Sequence, residues 1–68
     1  MTMPHERYRA IARTEKFLME LVVDMTQSEN IREGARWCLR HYPTGWDLDE
    51  LARAAPQVLQ REFKRRTL

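Results

Sequence analysis

The stretch Glu6-Arg7-Tyr8-Arg9-Ala10-Ile11-Ala12-Arg13-Thr14-Glu15-Lys16-Phe17-Leu18-Met19-Glu20-Leu21-Val22-Val23-Asp24 decides the architecture. At about 100° per residue, Glu6, Arg9, Arg13, Lys16, Glu20 and Asp24 fall on one stripe about 80° wide. Nearly every other position is apolar, from Tyr8 and Ile11 through Phe17 and Leu18 to Val23 and Met25. A surface helix in a small bundle needs an apolar stripe of about 100° or somewhat more. Here the apolar arc is more than twice as wide, so the helix must be covered on two sides. Either the rest of the chain wraps around it, or part of it meets a second chain. A chain of 68 residues draws only about 3–5 kcal/mol from one core. Self-association is therefore favoured, and Phe17, Leu21 and Val23 on the flanks of the arc are the expected contact residues.

Composition agrees with a single soluble helical domain spanning residues 1–68. Apolar residues make up 43% and charged residues 32%, with a net charge of only +2. These values describe a globular chain rather than a disordered one. The most apolar run, Phe17 to Met25, contains Glu20 and Asp24. It falls well short of the roughly 20 apolar residues that cross a membrane. The amino-terminal Met-Thr-Met-Pro-His-Glu-Arg lacks the apolar centre of a secretion signal. With a lone thiol, this predicts a cytoplasmic protein. That single cysteine also excludes an intramolecular disulfide.

Ala, Leu, Arg and Glu dominate, Val, Ile and Thr are scarce, and no strand-type alternation persists, which predicts an all-α bundle of three to four helices. Pro4 suits a first helical turn, and the first helix is expected over about 4–25. Thr26-Gln27-Ser28-Glu29 reads as a capping box, with Ser28 as a competing cap. The second helix is expected over about 28–41 and must end before Pro43. Thr44-Gly45 makes a turn, and Asp47-Leu48-Asp49-Glu50 opens a third helix over about 47–55. Pro56 lacks a donor and breaks the helix, so residues 56–66 are expected as a fourth segment, with 61–68 as a basic tail that can fray.

On the second helix, Ile31, Ala35, Cys38, Leu39 and Tyr42 share one apolar face. Gly34 lies beside it, where a missing side chain allows another helix to come close. Trp37 projects away from this face and is either an interface anchor or packed under the carboxy-terminal segment. Trp46 is expected to plug the open end of the bundle. Arg7, Thr14 and Glu15 fall inside the apolar arc of the first helix and need partners if covered. For Arg7, carbonyls at another helix end or a carboxylate are the expected partners.

Chemistry-bearing constellations are sparse. Cys38 and His41 offer two ligands where structural zinc wants four. A buried small thiol and a histidine at a helix carboxyl end account for both. As nucleophile and base they lack an orienting group and an oxyanion site. No phosphate loop, His-Glu-x-x-His or Gly-x-Ser-x-Gly occurs. No enzyme, metal or cofactor is expected. Arg32, Arg36 and Arg40 make a basic stripe interleaved with Glu29 and Glu33, read as a solvated, self-paired face. Arg61, Lys64, Arg65 and Arg66 surround Phe63 and are the residues with which the chain would touch phosphates.

Two resemblances follow from particular residues. Glu6-Arg7-x-Arg9, Thr14-x-x-Phe17-Leu18, Leu39-Arg40-His41-Tyr42-Pro43, Asp47 and Ala54-Ala55-Pro56 resemble a family of short uncharacterised proteobacterial proteins. The resemblance covers most of the chain, and Leu-Arg-His-Tyr-Pro is its most specific part. It implies a natural small cytoplasmic domain and carries no activity with it. Asp49 to Ala55 and Leu59 to Leu68 are similar to the helix-turn-helix of arabinose-regulator-type transcription factors. There Pro56 stands where a longer Gly-containing turn belongs, and without it the second helix cannot cross at the angle the major groove needs. The expected function is a non-catalytic regulator, adaptor or inhibitor acting by protein–protein contact through Phe17, Leu21, Val23 and Trp37. A phage or mobile-element origin fits its size. The alternative is a DNA-binding regulator using the basic carboxy-terminal segment.

Overall fold

The computed structural model describes residues 2–61. They form an all-α bundle of three helices, with no strand among the described residues: α1 (Pro4–Val23), α2 (Glu29–Arg40) and α3 (Gly45–Ala54).

Each helix start has a chemical cause. Pro4 fills the first position of α1, and the Glu6 carboxylate reaches back to the Met3 N–H at 2.8 Å. This satisfies a donor that the helix itself leaves orphaned. Helix α1 stops at Val23, two residues short of the expected Met25. The Asp24 carboxylate is the reason. It accepts from the Thr26 backbone at 3.0 Å, the Thr26 hydroxyl at 2.6 Å and Gln27 Nε2 at 3.4 Å, and so closes a turn. Thr26 lies in this turn, two residues ahead of the cap position, and so does not cap α2 as the capping-box reading expected. Ser28 does, with its hydroxyl accepting from the Ile31 N–H at 3.2 Å. Helix α3 begins two residues before the expected Asp47. Thr44 is its cap rather than part of a free turn, and Asp47 closes a capping box on the Thr44 N–H at 2.9 Å.

The fourth helix expected over 56–66 is absent among the described residues of that range. Pro56 to Val58 make a single turn, with the Val58 and Leu59 N–H groups returning to the Ala55 carbonyl. The chain then leaves helical geometry, and the Gln60 N–H donates to the Pro4 carbonyl at 3.2 Å. The strap drops Leu59 into the core and lies across the start of α1. Residues 62–66 of that expectation lie outside the described residues.

Helices α1 and α2 form an antiparallel hairpin. Met25 meets Arg32 at the closed end, and at the other end the Tyr42 hydroxyl donates to the Ile11 carbonyl. Tyr42 thus latches the exit of α2 to the middle of α1. Helix α3 joins through the Tyr8 hydroxyl, which donates to Asp49 Oδ1 at 2.7 Å. The core is small: among the described residues only Ala35, Leu48, Ala52 and Leu59 are buried apolar groups. None of the 20 residues of α1 is fully buried.

Leu48, 4% exposed, is one of only two large side chains in this core. Leu48→Ala is expected to cost about 2–4 kcal/mol. That is most of what a chain this short holds, so far-ultraviolet circular dichroism should show a largely melted protein at room temperature.

Candidate functional site

The residues that sequence points to as contacts do not share one surface. Phe17 and Val23 are well exposed, at 57% and 72%, and Leu21 is half-buried. On α1, Val23 lies about 120° from Phe17 and about 160° from Leu21. They therefore stand on opposite sides of the hairpin. Trp37 is 59% exposed on the back of α2, where its ring lies 5.0 Å from that of His41 at a tilt of 57°. The alternative in which Trp37 packs under the carboxy-terminal segment is not seen among the described residues. Trp46 does not plug the bundle: it stands in the first turn of α3 with 70% of its surface open.

The inward direction of α1 is marked by Ile11, Leu18 and Val22, and that of α2 by buried Ala35 and half-buried Leu39. For an antiparallel pair of right-handed helices, this fixes which flanks lie together. Ala10, Thr14, Phe17 and Leu21 of α1 fall on the same side as Ile31, Gly34 and Cys38 of α2. On α2 that side carries no charge, whereas on α1 Glu6, Arg13 and Asp24 lie within about 40° of Phe17 and form its rim. Ala12, Met19 and Val23 fall on the other side, beside Glu29, Arg36 and Arg40. There Arg36 pairs with Glu33 at 2.7 Å.

The neutral side differs from what the sequence suggests. Ile31 and Cys38 were grouped with the inward face of α2, yet Ile31 is 46% exposed and the Cys38 thiol is also exposed rather than buried. With Ala35 at the centre of the contact, both rotate out onto the flank. Gly34 is exposed too, and a Cβ built there would meet nothing within 4 Å. No helix of the described residues comes close to it, so the close approach that its small size permits is not used inside this chain. Gly34 was the signal in the sequence for this side. The core and the free flank both read as apolar positions, so their pattern alone could not divide them.

The charged groups have structural employment. Arg7, inside the apolar arc, donates from Nε to the Val58 carbonyl at 2.9 Å and from Nη1 to the Thr2 carbonyl at 2.7 Å. It ties the strap and the amino terminus to α1, and its partners are carbonyls as expected, though not those of a helix end. Arg32 leaves the expected solvated stripe. It is half-buried, with Nη1 at 3.4 Å from Met25 Sδ and Nε buried without a hydrogen-bond partner. Arg61 lies 3.7 Å from Asp49 Oδ2. It borders a shallow cleft of about 260 Å³ lined by Asp49, Ala52, Arg53, Gln60 and Arg61. Lys64, Arg65 and Arg66 lie outside the described residues. No cluster of three or more His, Cys, Asp or Glu placed to hold a metal ion occurs among the described residues.

Comparison with protein-family models, with curated proteins and with solved structures finds no match for this chain.

Among the described residues three groups titrate away from their ordinary values, and each sits at a structural joint. Hydrogen bonds from the Thr26 hydroxyl and then its backbone hold Asp24 below the usual carboxylate range. The Thr44 backbone N–H and then its hydroxyl do the same for Asp47. The bond to Asp49, then burial, raise Tyr8. Depressed carboxyls contribute stability above their unfolded values and lose it as pH falls through the folded ones. Helicity should therefore hold on acidification to the ordinary carboxylate range and decline below it. In Asp24→Asn/Asp47→Asn, the part of the decline due to these two caps should vanish from a circular dichroism titration. Tyr8 has the opposite sign, because its raised value gives stability below the ordinary phenol range that is lost as pH rises. Tyr8→Phe is expected to lower stability by about 1 kcal/mol in urea melts at neutral pH.

Proposed function

We propose that this protein is a non-catalytic helical adaptor, regulator or inhibitor that works by occluding or bridging another protein surface or a second copy of itself. One observation carries the reading: a 20-residue helix with no buried residue still presents Phe17, Met19 and Val23 to solvent, each more than half exposed. Apolar side chains scattered singly over a surface need no explanation, whereas contiguous apolar patches mark interaction sites. Here they line both flanks of one helix, with Ile31 and Cys38 continuing one flank onto α2. Trp37 adds an aromatic group of the kind that anchors interfaces. The perturbed groups support the same reading, because Asp24 and Asp47 serve helix caps and Tyr8 joins two helices. No helix among the described residues is long and apolar enough to cross a membrane.

The test is retention of binding proteins by the immobilised chain in a native lysate, with Phe17→Glu and Trp37→Ala variants in parallel and self-association measured on the pure protein. The reading predicts a stoichiometric partner, or a second copy, that is lost in at least one variant. A chain that stays monomeric and retains nothing that either substitution releases would refute it.

A further inference from the structure

The neutral side of the hairpin is where we infer that a second copy of this chain docks, face to face across a two-fold axis, to make a four-helix layer from two α1/α2 pairs. This rests on the contact-based function above and names its occupant.

The choice of a second copy comes from the fold's own deficit. Chains of this size reach stability through disulfides, a structural metal or oligomerisation when their core is small. One cysteine cannot form a disulfide within the chain. The described residues contain no metal-holding cluster. Their buried apolar set is two alanines and two leucines. Oligomerisation would add the apolar burial that this set lacks, and the partner always present at folding is another copy.

The two sides of the hairpin are not equally suited to it. A two-fold contact brings each residue near its own type or that of a symmetry-related neighbour, so charge on the face would repel itself. On α2, Ile31, Gly34 and Cys38 supply an uncharged surface beside Phe17 and Leu21 of α1, with Glu6, Arg13 and Asp24 of α1 at its rim. The opposite flank carries Glu29, Arg36 and Arg40. Gly34 sits in the middle of the neutral side with open space above it. A small residue there lets a facing backbone approach closely, in the way that small residues at helix contacts set short interaxial distances.

Helix α1 is about 30 Å long and α2 about 18 Å, each about 10 Å across, so the hairpin presents roughly 480 Å² in projection. Accessible area exceeds projection on a surface of protruding side chains. The face is therefore of the order of the ~800 Å² per partner that a standard interface buries.

The decisive variant is Gly34→Gln. Among the described residues a Cβ at Gly34 meets nothing within 4 Å, and replacing helical glycine by a good helix former favours the helix. A monomer should therefore gain stability from it, whereas the dimer must lose its close approach. Sedimentation equilibrium of the full chain is expected to give twice the 8.2 kDa chain mass for the native protein. Gly34→Gln and Phe17→Glu should return the mass to that of one chain. Met19→Glu is the matched control, since Met19 is 56% exposed against 57% for Phe17 but lies on the charged side, and it should stay dimeric. A dimer that survives Gly34→Gln but dissociates with Met19→Glu overturns the assignment of the face. A monomeric native protein that still retains a Phe17-dependent partner overturns the second copy alone. A monomer that retains nothing overturns both this inference and the contact-based function.

Discussion

The constraint on this fold is the small buried set that is available to cover α1, beginning with Ala35 of α2. A methyl group, 3% exposed, is the only fully buried side chain that α2 contributes. Small side chains at a helix contact bring the two axes together. One neighbouring helix can shield only one strip of a helix that is apolar over most of its circumference. The Tyr42 latch to Ile11 and the Tyr8 bond to Asp49 then fix α2 and α3 against α1, while α3 and the strap add only Leu48, Ala52 and Leu59 to the buried set. Polar ties hold the layout, and the apolar surplus stays outside.

Where the sequence was legible, local chemistry decided. The all-α class followed from composition and periodicity, and the break at Pro56 followed from its missing donor. The surplus of apolar surface on α1 was visible because six charged residues share a narrow stripe. Helix ends were less legible because several groups compete for each orphaned donor. Thr26 is a good cap in isolation, but its backbone N–H and hydroxyl both donate to Asp24, which holds it in the turn ahead of Ser28. Thr44 and Asp47 bond each other reciprocally, so the helix starts two residues earlier than Asp47 alone implies.

The candidate surface was legible only in part, for a tertiary reason. Phe17 and Val23 are flank residues of the apolar arc, both are exposed, and helical geometry puts them on opposite sides of the pair. Ile31 and Cys38 looked like core because they neighbour Ala35 and Tyr42 on the wheel. Which of these positions faces α1 depends on the rotation of α2 about its axis, and the sequence of α2 alone does not set that rotation. Trp46 and Trp37 show the same limit, since large aromatic side chains invite burial, yet no segment of the described chain is placed to cover either. The basic residues Arg32, Arg36 and Arg40 also part company, because four-residue spacing drifts around the helix and carries Arg32 inward to Met25.

The proposed second copy would protect α1 from outside its own chain. Amide hydrogen exchange of α1, measured at increasing concentrations of the pure protein, tests this directly. Protection of the amides around Phe17 and Leu21 should rise with protein concentration while that of α3 rises less. Protection in α1 that is high and independent of concentration would mean that the single chain already satisfies this helix, and would contradict the account.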